Sequence, residues 1–207
     1  MAVRDHTLDD KIIDAARAEF LTHGFKEASL HKIAARAEVT TGALYTRYKN
    51  KDALFRSLLE GVFDGYSEHL SSVAGKYMDA MSNPSAEAFI EAMDYESLLY
   101  LDFLFDHKDE CVLMFCRSDG SSVGEEIAAA ISQKTKTTVA FFENISDKKL
   151  DPYVVETLMN MQLHAYRQIL NSPMDKEEAT ECLKSIFHFM YICWKDLYSE
   201  FLDYSTP

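Results

Sequence analysis

Apolar residues recur at intervals of three and four along most of the chain, the spacing that places side chains on one face of an α-helix. Between Asp9 and His23 this pattern predicts a first helix, and Gly24 is suited to end it. Ser29 can cap a short second helix, and a third runs from Thr41 to about Tyr48. Asn50 can cap a fourth, whose apolar stripe is Leu54, Leu58, Val62 and Tyr66.

Prolines mark helix boundaries in the rest of the chain. Asn83-Pro84 and Asp151-Pro152 each place a capping side chain before a proline at the first helical position, where the missing N–H costs no hydrogen bond. The pattern predicts further helices at 84–107, 109–117, 122–145, 152–171 and 175–203. Because the chain has only four Pro and seven Gly to form turns, we predict an all-α fold of about nine helices.

Three short helices near the N-terminus, the second and third joined by a tight step, form a helix-turn-helix pattern. We therefore divide the chain into a helix-turn-helix DNA-binding domain over 1–50 and a second helical domain over 51–207. The fourth helix, from residue 51, connects them. No flexible linker is expected at this boundary.

The third helix has a face suited to DNA. Leu44 and Tyr48 would pack inward, which leaves an outward set of Gly42, Ala43, Thr46 and Arg47, with Tyr45 at its edge. Small side chains let the backbone approach a duplex, and Thr40 and Thr41 can donate to phosphates or base edges. Positive charge for phosphates comes from Arg47, Lys49 and Lys51.

The uneven distribution of charge supports a nucleic-acid contact confined to the N-terminal part. The net charge of the chain is −13, which is unfavourable for nucleic acid as a whole. Residues 1–60, however, carry a net charge of +1, and the remainder carries −14. Such asymmetry between segments indicates different partners for the two parts.

The stretch SLHKIAARAEVTTGALYTRYKNK, from Ser29 to Lys51, resembles the DNA-binding part of the TetR family of transcriptional regulators. The resemblance extends to roughly residues 9–60. It rests on the joint spacing of Phe20, Gly24, Ile33, Ala34, Val39, Gly42, Leu44, Tyr45, Tyr48, Lys51 and Leu54. Beyond residue 60, only length and helical content are similar.

The resemblance implies a role for each matching position. Thr41, Gly42 and Tyr45 lie where family members touch bases or adjoining phosphates. The positions that hold the DNA backbone are Thr40, Ala43, Thr46, Arg47 and Lys51. Ser29 matches a phosphate-contacting cap, and His31 matches a position that reaches a base in some members.

The sequence departs from the family pattern at three places. Glu38 occupies a turn position that is commonly Gly, and a left-handed backbone there would cost Glu roughly 1 kcal/mol. Arg47 and Tyr48 replace the more frequent His and Phe. Ala43 offers no hydrogen bond, so direct base readout rests on few side chains.

Residues beyond about 60 are expected to dimerise and to hold a small effector, as the resemblance implies. The last helix has two adjacent apolar stripes and can pack on two sides, so we predict a homodimer through the last two helices. Candidates for an effector pocket are Tyr100, Phe103, Phe105, Met114, Phe115, Phe142, Met159 and His164. Aromatic and thioether groups suit an apolar effector, and the acidic surplus suits a cationic one.

Other classes of protein have less support. The chain has no glycine-rich phosphate loop, no HExxH, no GxSxG and no clear metal-ligand spacing, so we expect no catalysis, metal or cofactor. The four cysteines form no CxxC pair and are expected to be buried free thiols. Without a membrane span or signal peptide in the sequence, we expect a cytoplasmic protein.

The sequence thus favours a homodimeric repressor that a small-molecule effector releases from a palindromic DNA operator. Two alternatives stay open at this stage. One is a helical small-molecule sensor that acts through a protein partner, and the other is an all-helical enzyme with a site in the acidic part. The cations after the third helix disfavour the protein-partner alternative.

Overall fold

The computed structural model describes residues 6–63, 65, 71, 73, 75, 76, 91, 92, 99 and 101–202. All regular structure in these residues is helical, which confirms the predicted all-α fold. The helices with defined bounds are α1 His6–Glu27, α2 Leu30–Arg36, α3 Thr41–Arg47, α4 Lys51–Ser57, α5 Lys108–Cys111, α6 Ser122–Ile145, α7 Pro152–Leu170 and α8 Lys176–Leu202. Residues 101–106 are also helical and lie within the helix predicted over 84–107, most of which is outside the described residues. A π-helical turn, Val112–Cys116, continues directly from α5.

The chain divides into two compact units. The N-terminal unit comprises Met1–Asp64 and Asp109–Glu126, and the C-terminal unit comprises Gly65–Lys108 and Ile127–Pro207. The functional division predicted at residue 50 stays a prediction. The N-terminal unit nevertheless includes α4 and a second segment from residues 109–126, which local sequence patterns did not indicate.

The core of the N-terminal unit forms where the apolar stripes of its short helices meet. Ile12, Ala16 and Phe20 of α1 are buried, as the spacing predicts. The ring of Phe55 from α4 lies edge-on to the rings of Phe20 and Phe25, with centroids 5.0 and 5.4 Å away. These aromatic contacts fix α4 against α1.

The fourth helix is interrupted within its predicted apolar stripe, and helix resumes at residues 60–63. Asn50 caps it as expected, its side-chain oxygen accepting from the Ala53 N–H at 2.7 Å. The helix ends at Ser57, however, and the N–H groups of Leu58 and Leu59 donate to carbonyls three residues back. This tighter turn accompanies the burial of both leucines. The predicted continuation through Tyr66 toward Tyr77 lies mostly outside the described residues.

Backbone and side-chain hydrogen bonds attach residues 109–126 to the first helix. The Phe25 N–H, just after the break in α1 at Gly24, donates to the Arg117 carbonyl at 2.8 Å. Arg117 Nε donates to the Leu21 carbonyl at 2.9 Å. Carbonyl groups at the end of a helix otherwise lack partners, so Arg117 satisfies one of them.

A second polar contact joins α4 to the start of α6. The Asp52 carboxylate accepts from the Ser122 N–H at 2.8 Å and from the Ser122 hydroxyl at 2.7 Å. One helix therefore supplies the N-terminal cap of another that is distant in sequence. Arg56 donates to Glu126 at 2.6 Å and strengthens the same contact.

Between α5 and Arg117 the structure differs from the ordinary helix predicted over 109–117. The π-helical turn buries the consecutive side chains of Leu113, Met114 and Phe115. Three consecutive side chains point in different directions around any helix, so their burial shows that this turn is enclosed on more than one side. Both Met114 and Phe115 belong to the N-terminal unit.

The C-terminal unit has its core where α6, α7 and α8 pack around aromatic rings. Its buried members are Phe141, Phe142, Leu150, Val155, Met159, Trp194, Tyr198 and Phe201. The predicted ranges 122–145, 152–171 and 175–203 agree with these helices to within one residue at each end. Asp151 caps α7 ahead of Pro152, as expected, and accepts from the Tyr153 N–H at 2.9 Å.

All four cysteines are free, as predicted, but only one of them is fully buried. Cys111 is inaccessible, and burial raises the pKa of its thiol to about 12. Cys116, Cys182 and Cys193 are half-buried, so the expectation of four buried thiols is wrong for these three.

Gly124 permits the close approach of the first turn of α6 to the preceding loop. A Cβ atom on Gly124 would lie 2.6 Å from the Ser118 carbonyl oxygen. We expect Gly124→Ala to destabilise the protein by about 1 to 3 kcal/mol and to lower Tm by several degrees. Gly61→Ala is the matched control, because its Cβ would meet nothing within 4 Å. Equal thermal midpoints for the two variants would contradict this packing.

Candidate nucleic-acid interface

Helices α2 and α3 form a helix-turn-helix whose starts are fixed by their own sequence. The Ser29 hydroxyl accepts from the Lys32 N–H at 3.5 Å, and the Thr40 hydroxyl accepts from the Ala43 N–H at 3.1 Å. Both caps are in extended backbone conformation, as N-cap residues usually are. The cap at Thr40 fixes where α3 begins and which of its N–H groups stay unbonded.

The turn between the two helices has a left-handed residue at Glu38, with φ of 59°. The Val39 N–H donates to the Ala34 carbonyl at 2.9 Å across this turn, which closes the end of α2. The turn therefore has the geometry that usually carries Gly, and the cost expected for Glu applies. The Glu38 carboxylate forms an exposed ion pair with Lys11 at 3.0 Å.

Burial of Leu44 sets the orientation of α3. Its side chain is fully buried, as predicted, and α3 packs on α2, where Ile33 and Ala34 are buried. The opposite face of α3 exposes Gly42, Tyr45 and Thr46. Just over half of the Tyr45 side chain, 52%, is accessible to solvent, which is unusual for so large an apolar ring.

The predicted DNA-contacting residues differ in how far solvent reaches them. The exposed ones are His31, Thr40, Gly42, Tyr45 and Thr46. The half-buried ones are Ser29, Thr41, Ala43, Arg47 and Lys51. All ten belong to the N-terminal unit, and eight of them lie between Thr40 and Lys51, that is, within α3 or directly beside it. Their contact with DNA stays a prediction.

Arg47 does not face outward as the sequence predicts. Only 20% of its side chain is exposed, and Nε donates to Asp9 Oδ1 of α1 at 2.6 Å. The long Arg side chain reaches back from the end of α3 to a carboxylate that lies 38 residues earlier. A helical-wheel argument gives the direction of the Cα–Cβ bond but not the position of so distant a guanidinium.

The Lys51 ammonium group is likewise engaged within the N-terminal unit. Nζ donates to the carbonyls of Lys26 and Ala28 at 3.0 and 3.1 Å and lies 4.8 Å from the centre of the Phe25 ring. An ammonium has three donors, so two of them are used here. Lys51 thus closes the end of α1 onto the start of α4.

Three further cations near the helix-turn-helix are exposed. Lys49 follows α3 and was among the positive charges noted in the sequence. Lys32 and Arg36 lie on α2 and were not predicted as candidates. Their spacing of four residues on a helix whose apolar face is already assigned to Ile33 and Ala37 would have indicated an exposed basic stripe.

The candidate effector residues are divided between the two units. Met114 and Phe115 are in the N-terminal unit, whereas Phe103, Phe105, Phe142, Met159 and His164 are in the C-terminal unit. Of these, Phe142 and Met159 lie in one buried aromatic core. His164 is exposed and contacts Gln168 at 3.3 Å. Tyr100 lies outside the described residues.

An exposed apolar patch covers neighbouring faces of α7 and α8. Met161, Phe189 and Ile192 are all more than 40% exposed. An open depression there is lined by Met161, Ser185, Ile186, Phe189 and Met190. The sequence predicts dimerisation through these helices. One apolar stripe of the last helix includes Ile186 and Met190, but the three exposed residues are not among those predicted. These residues could have been identified as apolar side chains that lie outside the stripes predicted to form the core.

In the part of the chain that the structure describes, no group of three His, Cys, Asp or Glu side chains is placed to hold a metal ion. None of the helices in that part combines the length and apolar character that crossing a bilayer requires.

Known proteins resemble this chain most clearly over the helix-turn-helix. Residues 12–58 match the family described as bacterial regulatory proteins, tetR family. The HTH-type transcriptional repressor SCO4008 of Streptomyces coelicolor is 43% identical over 61 residues, which are 29% of this chain and 32% of that repressor. The chain therefore spans about a third of the length of this relative.

Longer matches extend the resemblance beyond the helix-turn-helix. The uncharacterized HTH-type transcriptional regulator TtgW of Pseudomonas putida is 31% identical over 98 residues, 42% of this chain and 73% of TtgW. A crystal structure of a TetR-like transcriptional regulator from Rhodococcus sp. RHA1 has a TM-score of 0.57 at 18% identity. That similarity covers 95% of this chain and 98% of the other, and it shows a common fold.

The strained turn at Glu38 leads to a stability prediction. Glu38→Gly should raise the free energy of unfolding by about 1 kcal/mol, because Gly adopts positive φ without steric cost. Glu38→Gln is the control, since it removes the charge but keeps the strain, and loss of an exposed ion pair should change little. Thermal unfolding of both variants measures the difference. A Gly variant no more stable than the Gln variant would contradict the strain.

Proposed function

The chain belongs to the TetR family of bacterial regulatory proteins, and from this premise we propose that it is a DNA-binding transcriptional regulator. In detail, we propose a homodimeric repressor that leaves a palindromic operator when a small effector binds. The observation that carries the proposal is the outward face of α3, with Gly42, Tyr45 and Thr46 exposed around a capped helix start. A regulator of this kind acts in the cytoplasm, where its operator lies.

The start of α3 is the part that enters the major groove in this proposal. Gly42 has no side chain, so the backbone can come close to a phosphate or base edge. The Thr40 oxygen accepts from the Ala43 N–H, which leaves its hydroxyl hydrogen to donate to a phosphate oxygen. Tyr45 supplies an aromatic face and a hydroxyl for the bases beside it.

Exposed cations supply the salt-dependent part of binding. Lys32, Arg36 and Lys49 are exposed near α3. Each phosphate that a cation neutralises makes the slope of log affinity against log salt concentration about 0.9 more negative. The acidic remainder of the chain repels DNA. This charge arrangement favours binding through the first 60 residues, which carry a net charge of +1.

The apolar patch of α7 and α8 is the proposed dimer interface. Met161, Phe189 and Ile192 would be covered by the same patch of a second copy, as a two-fold interface requires. Exposed apolar side chains gathered on neighbouring helices commonly mark an interface. Two-fold symmetry would present two α3 helices to half-sites about 34 Å apart or a multiple of that distance, hence a palindromic operator.

Effector binding would act on the spacing of the two DNA-binding units. An effector that prefers a conformation with the wrong spacing lowers operator affinity, with a coupling of typically about 1 to 3 kcal/mol. The aromatic and Met-rich composition of the chain beyond residue 60 supports an apolar or cationic effector. Phe103, Phe142 and Met159 are the proposed pocket members that lie buried in the C-terminal unit.

Removing the Tyr45 ring tests the proposed recognition helix. On a duplex selected by the wild-type protein from a random-sequence pool, Tyr45→Ala should weaken binding about tenfold or more. Tyr153→Ala, at an exposed tyrosine on α7, is the control and should bind as the wild type does. Fluorescence anisotropy gives both affinities. If Tyr45→Ala binds as tightly as the control, the assignment of α3 is wrong.

A charge in the apolar patch tests the dimer. The wild-type protein should have twice the chain mass of 23.6 kDa in light scattering at micromolar concentration. Phe189→Glu buries an unpaired carboxylate in the proposed interface and should give monomers. Lys195→Glu, at an exposed polar position of the same helix, should remain dimeric. A dimeric Phe189→Glu protein or a monomeric wild type would exclude this interface.

A further inference from the structure

An ion pair ties the end of α3 to α1. Arg47 is the last residue of α3, and its Nε lies 2.6 Å from Asp9 Oδ1 near the start of α1. Solvent reaches only 20% of the Arg47 side chain and 15% of the Asp9 side chain. Arg47 Nη1 also approaches the Ala43 carbonyl of its own helix, at 3.5 Å. The guanidinium is therefore directed toward the protein interior rather than toward a duplex.

The partial burial of this pair sets it apart from the Lys11–Glu38 ion pair, which also joins α1 to the helix-turn-helix. The Lys11–Glu38 pair has side-chain exposures of 57% and 78%, and such pairs contribute little because water screens them. The Asp9–Arg47 pair is shielded, so its charge-assisted hydrogen bond holds one geometry more firmly. It is the stronger constraint on the direction of α3.

We propose that Arg47 is a positioning residue for DNA binding, which fixes the angle of α3 through Asp9 and does not itself hold a phosphate. The inference rests on the proposed function. It replaces the backbone contact that the family resemblance implies for this position. In this role Arg47 matters for reading bases, since a tilt of α3 moves Tyr45 and Gly42 relative to the groove.

The two roles of Arg47 predict opposite effects of its partner. If Arg47 holds a phosphate, Asp9 competes with the DNA for the guanidinium, and Asp9→Asn should strengthen binding to every sequence. If Arg47 positions α3, Asp9→Asn loosens the helix and should weaken binding to the preferred sequence alone. The sign of the change therefore separates the roles without any substitution of Arg47.

The experiment measures the binding of full-length protein to two duplexes. One is selected by the wild type from a random-sequence pool, and the other is a scrambled duplex of the same composition. Affinities are measured between about 50 and 200 mM KCl, a roughly fourfold range of salt concentration over which each phosphate contact measurably weakens binding. The proteins are the wild type, Asp9→Asn, Arg47→Gln and Glu38→Gln. The last removes the carboxylate charge of the exposed pair and serves as the matched control.

The proposal expects Asp9→Asn and Arg47→Gln each to weaken binding to the selected duplex by about threefold to tenfold. Binding to the scrambled duplex and both salt slopes should stay at wild-type values, because no phosphate contact is lost. Glu38→Gln should not weaken binding to either duplex. Loss of selectivity at constant salt slope is a result that a merely less stable protein would not produce.

Several results would overturn the proposal. Arg47→Gln could weaken binding to both duplexes alike and make the salt slope about 0.9 less steep, which marks the loss of a phosphate contact. Asp9→Asn could leave binding unchanged or strengthen it, or Glu38→Gln could weaken selective binding as much as Asp9→Asn does. Circular dichroism at the assay temperature shows whether each variant is folded. Should Arg47→Gln not fold, the sign for Asp9→Asn alone decides.

If the wild type selects no duplex from the pool, the proposed function fails before Arg47 is tested. If the wild type selects a duplex and the variants give the overturning results, the function stands and only the role of Arg47 is rejected. The two failures are therefore distinguishable within one set of measurements.

Discussion

The burial of Leu44 is the constraint on which the DNA-binding surface depends. With that side chain in the core, a seven-residue helix has only one face left for solvent, and it carries Gly42, Tyr45 and Thr46. The helix is too short to be stable alone, so its packing on α2 and its cap at Thr40 hold it in place. The proposed groove entry and base contacts of α3 both depend on this orientation.

Polar contacts extend this constraint beyond the first four helices. Asp52 caps α6, and Arg117 binds the end of α1, so residues 109–126 belong to the same unit as the helix-turn-helix. Two cations that the sequence assigns to DNA phosphates have partners within the protein. Lys51 closes α1 onto α4, and Arg47 pairs with Asp9, whereas Lys32, Arg36 and Lys49 are exposed near α3.

Features with local causes were predictable from the sequence. The caps at Ser29, Asn50 and Asp151 follow from hydrogen bonds that span two or three residues, and the buried face of α3 follows from helical spacing. The family resemblance marked Glu38 as a position that is commonly Gly, and its φ is positive. The direction of Arg47, the π-helical turn and the interruption after Ser57 were not predictable, because each depends on partners distant in sequence or on how the core is filled. The exposed patch around Phe189 was not predicted, because the apolar pattern of α8 was interpreted through its two stripes and not through the apolar residues outside them.

In the proposed function, the leading end of α3 enters DNA. Amide hydrogen exchange of the full-length protein, with and without the selected duplex, tests it directly. Residues 40–46 should exchange more slowly when the duplex is bound, whereas amides in the middle of α6, around residues 130–138, should be unaffected. A bound duplex that leaves exchange at 40–46 unchanged, or that slows exchange only in the C-terminal unit, would contradict it.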